Sequence, residues 1–179
     1  MDRYVAFLRG MNLGKRRIKN PELAAQFELL GFEEVATFRA SGNVVFSVGG
    51  KASEAALGER IEAGLGEGLG YEVPVYLRGL AELARIAAQE PFAAAALAAS
   101  KGKLQVSMLS REPTAEAKQE VLALATDEDR LAISGRELFW LPSGGTIEST
   151  LDLKAIERAL GPGTMRTKGT IDQIASKYC

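Results

Sequence analysis

Short apolar runs alternate with amphipathic stretches along the chain, and they predict strands and helices in a regular order. In the first half, the apolar runs that predict strands are residues 3–9, 35–39, 44–48 and 73–77. One predicted helix begins at Asn20, the expected N-cap, with Pro21 at its first position and Gly31 as its C-terminal glycine. A second helix is predicted over residues 52–69, and Pro74 favours an edge position for the last strand. The order βαββαβ is typical of a ferredoxin-like unit.

The second half repeats this order. Its predicted strands are residues 104–109, 131–133, 138–141 and 164–167. Its predicted helices are 113–125 and 151–160, and the alanine-rich stretch 80–99 predicts a helical connector. The sequence therefore predicts an α+β protein of two tandem ferredoxin-like units, each an α/β plait with an antiparallel sheet. The expected divisions are a first domain at 1–78, a connector at 79–100 and a second domain at 101–179.

The two predicted units differ most in the link between their first strand and their first helix. Residues 5–8 align with residues 106–109 at an offset of 101, whereas Pro21 aligns with Pro113 at an offset of 92. The first unit therefore carries nine extra residues, which belong to a basic, glycine-containing stretch at 9–19, here named the basic loop. Because the second unit lacks this loop, we infer that the scaffold does not need it.

Composition indicates an ordinary globular chain with unevenly placed charge. Of its 179 residues, 46% are apolar and 25% are charged, and no apolar run approaches the roughly 18 residues that cross a bilayer. The chain starts without a secretory signal pattern, so a cytoplasmic location and no membrane partner are expected. The net charge is −1, yet residues 3–21 carry +6, residues 22–179 carry −6 and Asp2 adds −1. A basic coat over the whole protein is not indicated, but a local basic site is.

Several classes of chemistry are excluded by residues that the chain lacks. It has no histidine, and its single cysteine is Cys179, which excludes imidazole catalysis, intrachain disulfides and cysteine metal clusters. No metal and no cofactor are expected. No two carboxylates are spaced to flank a pocket, and the third strand lacks the basic-Gly-aromatic box of RNA-binding platforms. The aromatic residues lie mainly in apolar strands, which favours packing in the core.

The basic loop leaves a strand and ends at a helix N-terminus, where free amides and the positive helix end favour an anion. Two glycines permit unusual backbone conformations there, and the hairpin at residues 41–43 is expected at the same end of the sheet. The candidate anion-binding residues are Arg9, Gly10, Asn12, Gly14, Lys15, Arg16, Arg17, Lys19, Ser41, Asn43 and Arg166. The alternative is a solvated loop with structural glycines, beside hairpin residues that only close a turn.

Two of these segments, Leu8-Arg-Gly-Met-Asn-Leu-Gly14 and Ser41-Gly-Asn-Val-Val-Phe46, match motifs of a known family. They resemble Leu-Arg-Gly-Ile-Asn-Val-Gly and Ser-Gly-Asn-Val-Val-Phe of the bacterial domain of unknown function 1697. The family is similar in length, so the resemblance covers the whole chain and implies two tandem ferredoxin-like units. It implies no activity, substrate or cofactor.

The C-terminal part departs from the pattern of that family, which commonly ends with Thr-x-Arg-Asn-Trp-Asn-Thr. Thr164, Arg166 and Thr170 fit this pattern, but Thr167-Lys168-Gly169 stands where the family has Asn-Trp-Asn. The resemblance therefore implies no ligand role for that tripeptide in this chain.

Three functions stay open from the sequence. The leading hypothesis is a binding protein whose basic loop captures a phosphorylated small molecule or a nucleic-acid backbone. The second is a histidine-free enzyme that acts on an anionic substrate at a cleft between the domains, with an acid near Arg9 or Arg166. The third is an interaction module that pairs through a sheet edge. The sequence does not identify the ligand or the oligomeric state.

Overall fold

A computed structural model describes residues 1–40 and 42–179. Within the described residues, the first half of the chain contains β1 (Asp2–Leu8), α1 (Asn20–Leu29), β2 (Glu33–Thr37), β3 (Asn43–Val48), α2 (Glu54–Leu69) and β4 (Val75–Gly79). Two short helices follow, α3 (Leu80–Ala87) and α4 (Ala94–Ala99). The second half contains β5 (Gln105–Leu109), α5 (Ala115–Leu122), β6 (Asp129–Ser134), β7 (Glu137–Pro142), α6 (Leu153–Leu160), β8 (Gly163–Thr167) and α7 (Lys168–Tyr178).

The described strands form two four-stranded antiparallel sheets, so the protein has a mixed α+β fold. The first sheet has the order β2-β3-β1-β4 and the second has the order β6-β7-β5-β8. β4 pairs only with β1, which confirms the edge position that Pro74 predicted; Pro74 itself lies just before the strand.

The core of the first unit lies between its sheet and the helices α1 and α2. Leu57, Ile61 and Leu65 recur every four residues on α2 and are at most 2% exposed. Phe46 of β3 packs against Phe27 of α1, with ring centroids 5.5 Å apart. This apolar face fixes where β1 ends, and therefore where the basic loop begins.

The second unit has a core of the same kind. Its buried cluster joins Leu109 and Leu138 of the sheet to Val121, Ile156 and Leu160 of α5 and α6. α6 has eight residues where α2 has sixteen, so fewer helical side chains cover this sheet.

One prediction about the helices was wrong, and one helix was not predicted. Asn20 is not the N-cap of α1, because Lys19 occupies that position and the Asn20 amide donates instead to the carbonyl of Arg39, at 3.1 Å. The last strand lies at Gly163–Thr167, close to the predicted 164–167, but no helix was predicted after it; α7 follows that strand directly and buries Ile171 and Ile174 completely.

Contacts divide the chain into two compact units. One comprises residues 1–84 together with 174–179, and the other comprises residues 85–173. The domain boundaries expected from the sequence, at 78 and 100, stay a prediction. The expected connector region does contain two helices, α3 and α4.

Candidate functional site

The basic loop is the long connection between β1 and α1. It spans residues 9–19, whereas the equivalent connection between β5 and α5 spans residues 110–114. The difference is six residues rather than the nine expected, because Pro21 lies inside the first turn of α1 while Pro113 precedes the N-cap Thr114. The first unit still has the longer loop.

Asn12 holds the basic loop in shape from within. Its Nδ2 donates to the carbonyl of Ala40, and its Oδ1 accepts from the backbone amide of Ile18 at 3.1 Å. Asn12 has φ of 59°, a left-handed conformation that asparagine tolerates better than most residues. Both polar atoms of the Asn12 side chain are therefore occupied, one by the loop itself and one by the turn between β2 and β3.

Apolar side chains anchor the same loop from below. Met11 is buried, and Ile18 packs on the core beneath the sheet. Gly10 and Gly14 have φ of 76° and 58°, and open space lies where a Cβ would be. Glycine is therefore needed at these positions for the left-handed backbone conformation, and not because another group lies close to the backbone. The loop is folded, because both of its ends and its centre are fixed.

Four cationic side chains project from this folded loop. Lys15, Arg16, Arg17 and Lys19 are exposed, and none forms an ion pair with a residue that the structure describes. The guanidinium of Arg16 lies 4.8 Å from the centroid of the Tyr71 ring, a cation–π contact that restricts its position. The loop therefore presents concentrated positive charge without an internal counter-charge.

The N-terminus of α1 is less available than the sequence suggested. The backbone amide of Lys19 donates to the carboxylate of Glu22 at 3.1 Å. A carboxylate of the protein already occupies part of the positive helix end. The charge at this site comes from the side chains of the loop more than from the helix.

The turn between β2 and β3 lies against the basic loop. Its Arg39 carbonyl accepts from Asn20, and its Ala40 carbonyl accepts from Asn12. The buried Asn43 donates to the Phe38 carbonyl at 2.9 Å, a contact that closes the hairpin. Ser41, the other hairpin candidate, lies outside the described residues.

Two residues near the loop were missed by sequence reasoning. Tyr71 supports Arg16 from a segment that follows α2, and Arg39 adds an exposed cation on the adjoining turn. Arg39 also has φ of 57°, which is uncommon for a residue with a side chain. A basic residue immediately before the predicted hairpin was a usable signal for Arg39, but no local pattern pointed to Tyr71.

Arg9 and Arg166 complete the candidate set, and they lie in different units. Arg9 is half-buried, with its backbone amide donating to the Pro74 carbonyl at 3.0 Å. Arg166 is buried on β8, where its guanidinium donates to Thr164 Oγ1 and to the Met165 carbonyl, both at 2.9 Å. Burial lowers the pKa of Arg166 to about 10.

Arg166 has a counterpart that the sequence did not reveal. Arg78 of β4 pairs in register with Val5, just as Arg166 pairs with Val106, and Val5 and Val106 were already aligned. Arg78 is fully buried and lies 3.7 Å from the carboxylate of Glu82. A buried arginine at the same register in both sheets is a feature of the scaffold, shared by the unit that lacks the basic loop.

Among the described residues, no helix is long and apolar enough to pass through a bilayer. No group of three or more acidic or cysteine side chains within the described ranges is arranged to hold a metal ion.

Fold and site together define an α+β protein with a folded, exposed basic loop after its first strand. The family model described as protein of unknown function (DUF1697) matches residues 1–139, so the chain belongs to that family, as the two motifs predicted. The match includes the whole basic loop and ends before Arg166.

A solved structure is similar over almost the full length. It is the conserved bacterial protein SP0830 from Streptococcus pneumoniae, with 22% sequence identity and a TM-score of 0.75, covering 99% of this chain and 98% of that chain. At this low sequence identity, the structural similarity shows only that the two chains share a fold. No curated protein matches the chain.

Proposed function

We propose that the protein binds phosphate groups of an anionic ligand through the basic loop. The observation that carries this proposal is the exposure of Lys15, Arg16, Arg17 and Lys19 on one folded loop, without an ion pair to any residue described. Like charges gathered on one segment repel each other, and a bound polyanion removes that repulsion.

Because the loop is already folded, ordering it on binding takes little free energy. Asn12 and the buried Met11 fix the backbone before any ligand arrives, so less conformational entropy is lost on binding. Arginine suits phosphate because its planar fork donates two parallel hydrogen bonds. Because the cations are exposed, the affinity should fall steeply with salt.

The ligand class on this proposal is a phosphorylated small molecule or a nucleic-acid backbone. A histidine-free enzyme and an interaction module stay hypotheses, since no observation on the described residues favours either over binding.

Calorimetric titration tests the proposal with two probes, inorganic tripolyphosphate and a deoxythymidine oligonucleotide. The variant Arg16→Ala/Arg17→Ala/Lys19→Ala removes three loop cations. Lys101→Ala/Lys103→Ala/Lys154→Ala is the matched control, because it removes three exposed cations from the second unit. We expect the wild type and the control to bind at least one probe and the loop variant to lose about tenfold or more in affinity. Equal affinity in all three proteins, or no binding by the wild type, would refute the proposal.

We also infer that the two units are tandem ferredoxin-like units. Each contains the element order βαββαβ, and the two sheets have equivalent strand orders, with the first strand of each unit in the centre. Expression of residues 1–79 and 101–167 as separate chains, which end where β4 and β8 end, would show whether either βαββαβ segment folds alone, by circular dichroism and cooperative thermal unfolding.

A further inference from the structure

Two features of the basic loop do not concern charge. Leu13 is 66% exposed at the outer part of the loop, between the buried Met11 and the cationic stretch. The guanidinium carbon of Arg16 lies over the Tyr71 ring, while the Arg16 side chain as a whole is exposed. A ligand that consists of phosphate alone uses neither an apolar surface nor the face of a guanidinium.

We propose that the ligand of the basic loop is a single-stranded nucleic acid, one base of which stacks on Arg16 beside Leu13. The proposal rests on the proposed phosphate binding and names the ligand class for the same site. Lys15, Arg17 and Lys19 contact the phosphates, and Arg16 contacts the base.

The geometry of Arg16 supports stacking. A guanidinium is planar and weakly hydrated, and it stacks on flat aromatic surfaces. The Tyr71 ring lies on one side of the Arg16 guanidinium carbon, with its centroid 4.8 Å away, and the exposed Arg16 side chain offers its other side to a second flat ring. Tyr71, Arg16 and the base would then form a three-layer stack, with the middle layer already in place. Leu13 supplies apolar contact area for the same base.

A single-stranded backbone suits this loop better than a duplex. Unpaired bases expose their faces, whereas the bases of a duplex are already stacked on one another. An anionic lipid surface also accepts a basic loop with an exposed leucine. However, Leu13 is the one large apolar side chain that the loop exposes, since Met11 is buried and Ile18 packs on the core. Membrane surface binding usually uses a broader apolar face.

The central experiment compares a deoxythymidine oligonucleotide with an abasic oligonucleotide of the same length and phosphate number, on the wild-type chain. We expect the oligonucleotide with bases to bind about tenfold more tightly, because a stacked base adds affinity that phosphates do not. Equal affinity for the two would overturn the base contact and leave the phosphate proposal intact. Binding of neither would overturn both.

Matched variants locate the stacking contact. Arg16→Lys keeps the charge but removes the flat group, so it should abolish most of the preference for bases. Arg111→Lys, at an exposed arginine in the connection between β5 and α5, is the control, and it should keep the preference. A preference that survives in Arg16→Lys would contradict the assignment of Arg16.

A second pair of variants separates nucleic acid from a lipid surface. Leu13→Ser should weaken binding of the oligonucleotide with bases, whereas Leu29→Ser, which changes an exposed leucine at the end of α1, should not. Sedimentation with phosphatidylserine vesicles tests whether the protein binds a lipid surface. Vesicle binding that depends on Leu13, without any preference for bases, would replace the nucleic-acid proposal with a membrane one.

Discussion

The side-chain amide of Asn12 donates to the backbone carbonyl of Ala40, across 28 residues of the chain. Its oxygen accepts at the same time from the Ile18 amide at 3.1 Å. One side chain thus ties the centre of the basic loop both to its own far end and to the turn between β2 and β3. The position of the loop cations depends on these two hydrogen bonds.

Asn12→Ala should make the basic loop more mobile and should also lower the free energy of unfolding. It removes both hydrogen bonds, each worth about 1 kcal/mol, and it places alanine at φ of 59°. We expect a loss of about 2–3 kcal/mol in the free energy of unfolding and loss of exchange protection at the Ile18 amide, measured by NMR. Asn12→Gly removes the hydrogen bonds without the backbone strain, so its stability loss should be smaller. Unchanged protection at Ile18 in both variants would contradict this role of Asn12.

Gly42→Ala should be more disruptive than an alanine at another left-handed glycine. A Cβ on Gly42 would lie 2.8 Å from Cγ of Met11 and 3.0 Å from Cβ of Leu8, and Gly42 has φ of 77°. Gly50, with φ of 85° and open space around it, is the matched control. Chemical denaturation should show a loss of about 1 kcal/mol for Gly50→Ala and about 2–4 kcal/mol for Gly42→Ala. Equal losses would mean that the contact with Met11 does not constrain the turn.

Asp129 should be needed for the stability of the second unit. Its Oδ1 accepts from Nε1 of Trp140 and from Oγ of Ser149, both at 2.8 Å, and both Asp129 and Trp140 are buried. Asp129→Ala leaves the indole N–H without its partner, which should cost about 1–3 kcal/mol. Because Trp140 is the only tryptophan, its fluorescence reports unfolding and the changed surroundings directly. Asp127→Ala, at an exposed position nearby, should leave both stability and fluorescence unchanged.

The thiol of Cys179 should ionise later in the folded protein than in the unfolded chain. Burial raises the pKa of Cys179, while the charge of Arg3 lowers it by less. The proton is then lost from the unfolded chain first, so this group stabilises the fold at pH below the unfolded pKa, and that contribution disappears as pH rises through the folded pKa. When the rate of alkylation of Cys179 by iodoacetamide is measured as a function of pH, the midpoint of the curve should lie at a higher pH in the folded protein than in urea. Arg3→Gln should raise the folded midpoint further, and a lower folded midpoint would contradict the effect of burial.

The strands were largely predictable because their patterns are local. Residues 138–141 are a continuous apolar run, residues 44–48 are apolar apart from Ser47, and the structure buries both inside β7 and β3. The second helix was predictable for the same reason, because Leu57, Ile61 and Leu65 recur every four residues and indicate one buried face. Differences at the ends of these elements amount to a few residues.

The helix α7 was missed because its stability comes from tertiary burial. It begins with Lys168, Gly169 and Thr170, of which glycine and threonine are poor helix formers. Complete burial of Ile171 and Ile174 favours the helix once the rest of the chain is folded. The spacing of these two isoleucines was the available signal.

The charge of the candidate site was visible in the sequence, but its internal contacts were not. Six basic residues without an acid mark the segment 3–21 directly. The contact between Arg16 and Tyr71 joins residues far apart in the chain, and the Asn20 side chain reaches the Arg39 carbonyl instead of capping its own helix. Such contacts depend on how the sheet places its loops, which no local spacing encodes.

The salt dependence of oligonucleotide binding tests the proposed site most directly. Each phosphate neutralised on a single strand contributes about 0.7 to the slope of log affinity against log salt concentration. The wild type and Lys101→Ala/Lys103→Ala/Lys154→Ala should share one slope. Removal of Arg16, Arg17 and Lys19 should reduce it by about 1.4, because Arg17 and Lys19 contact phosphates while Arg16 contacts the base. A slope that is the same in all three proteins would contradict phosphate binding by the basic loop.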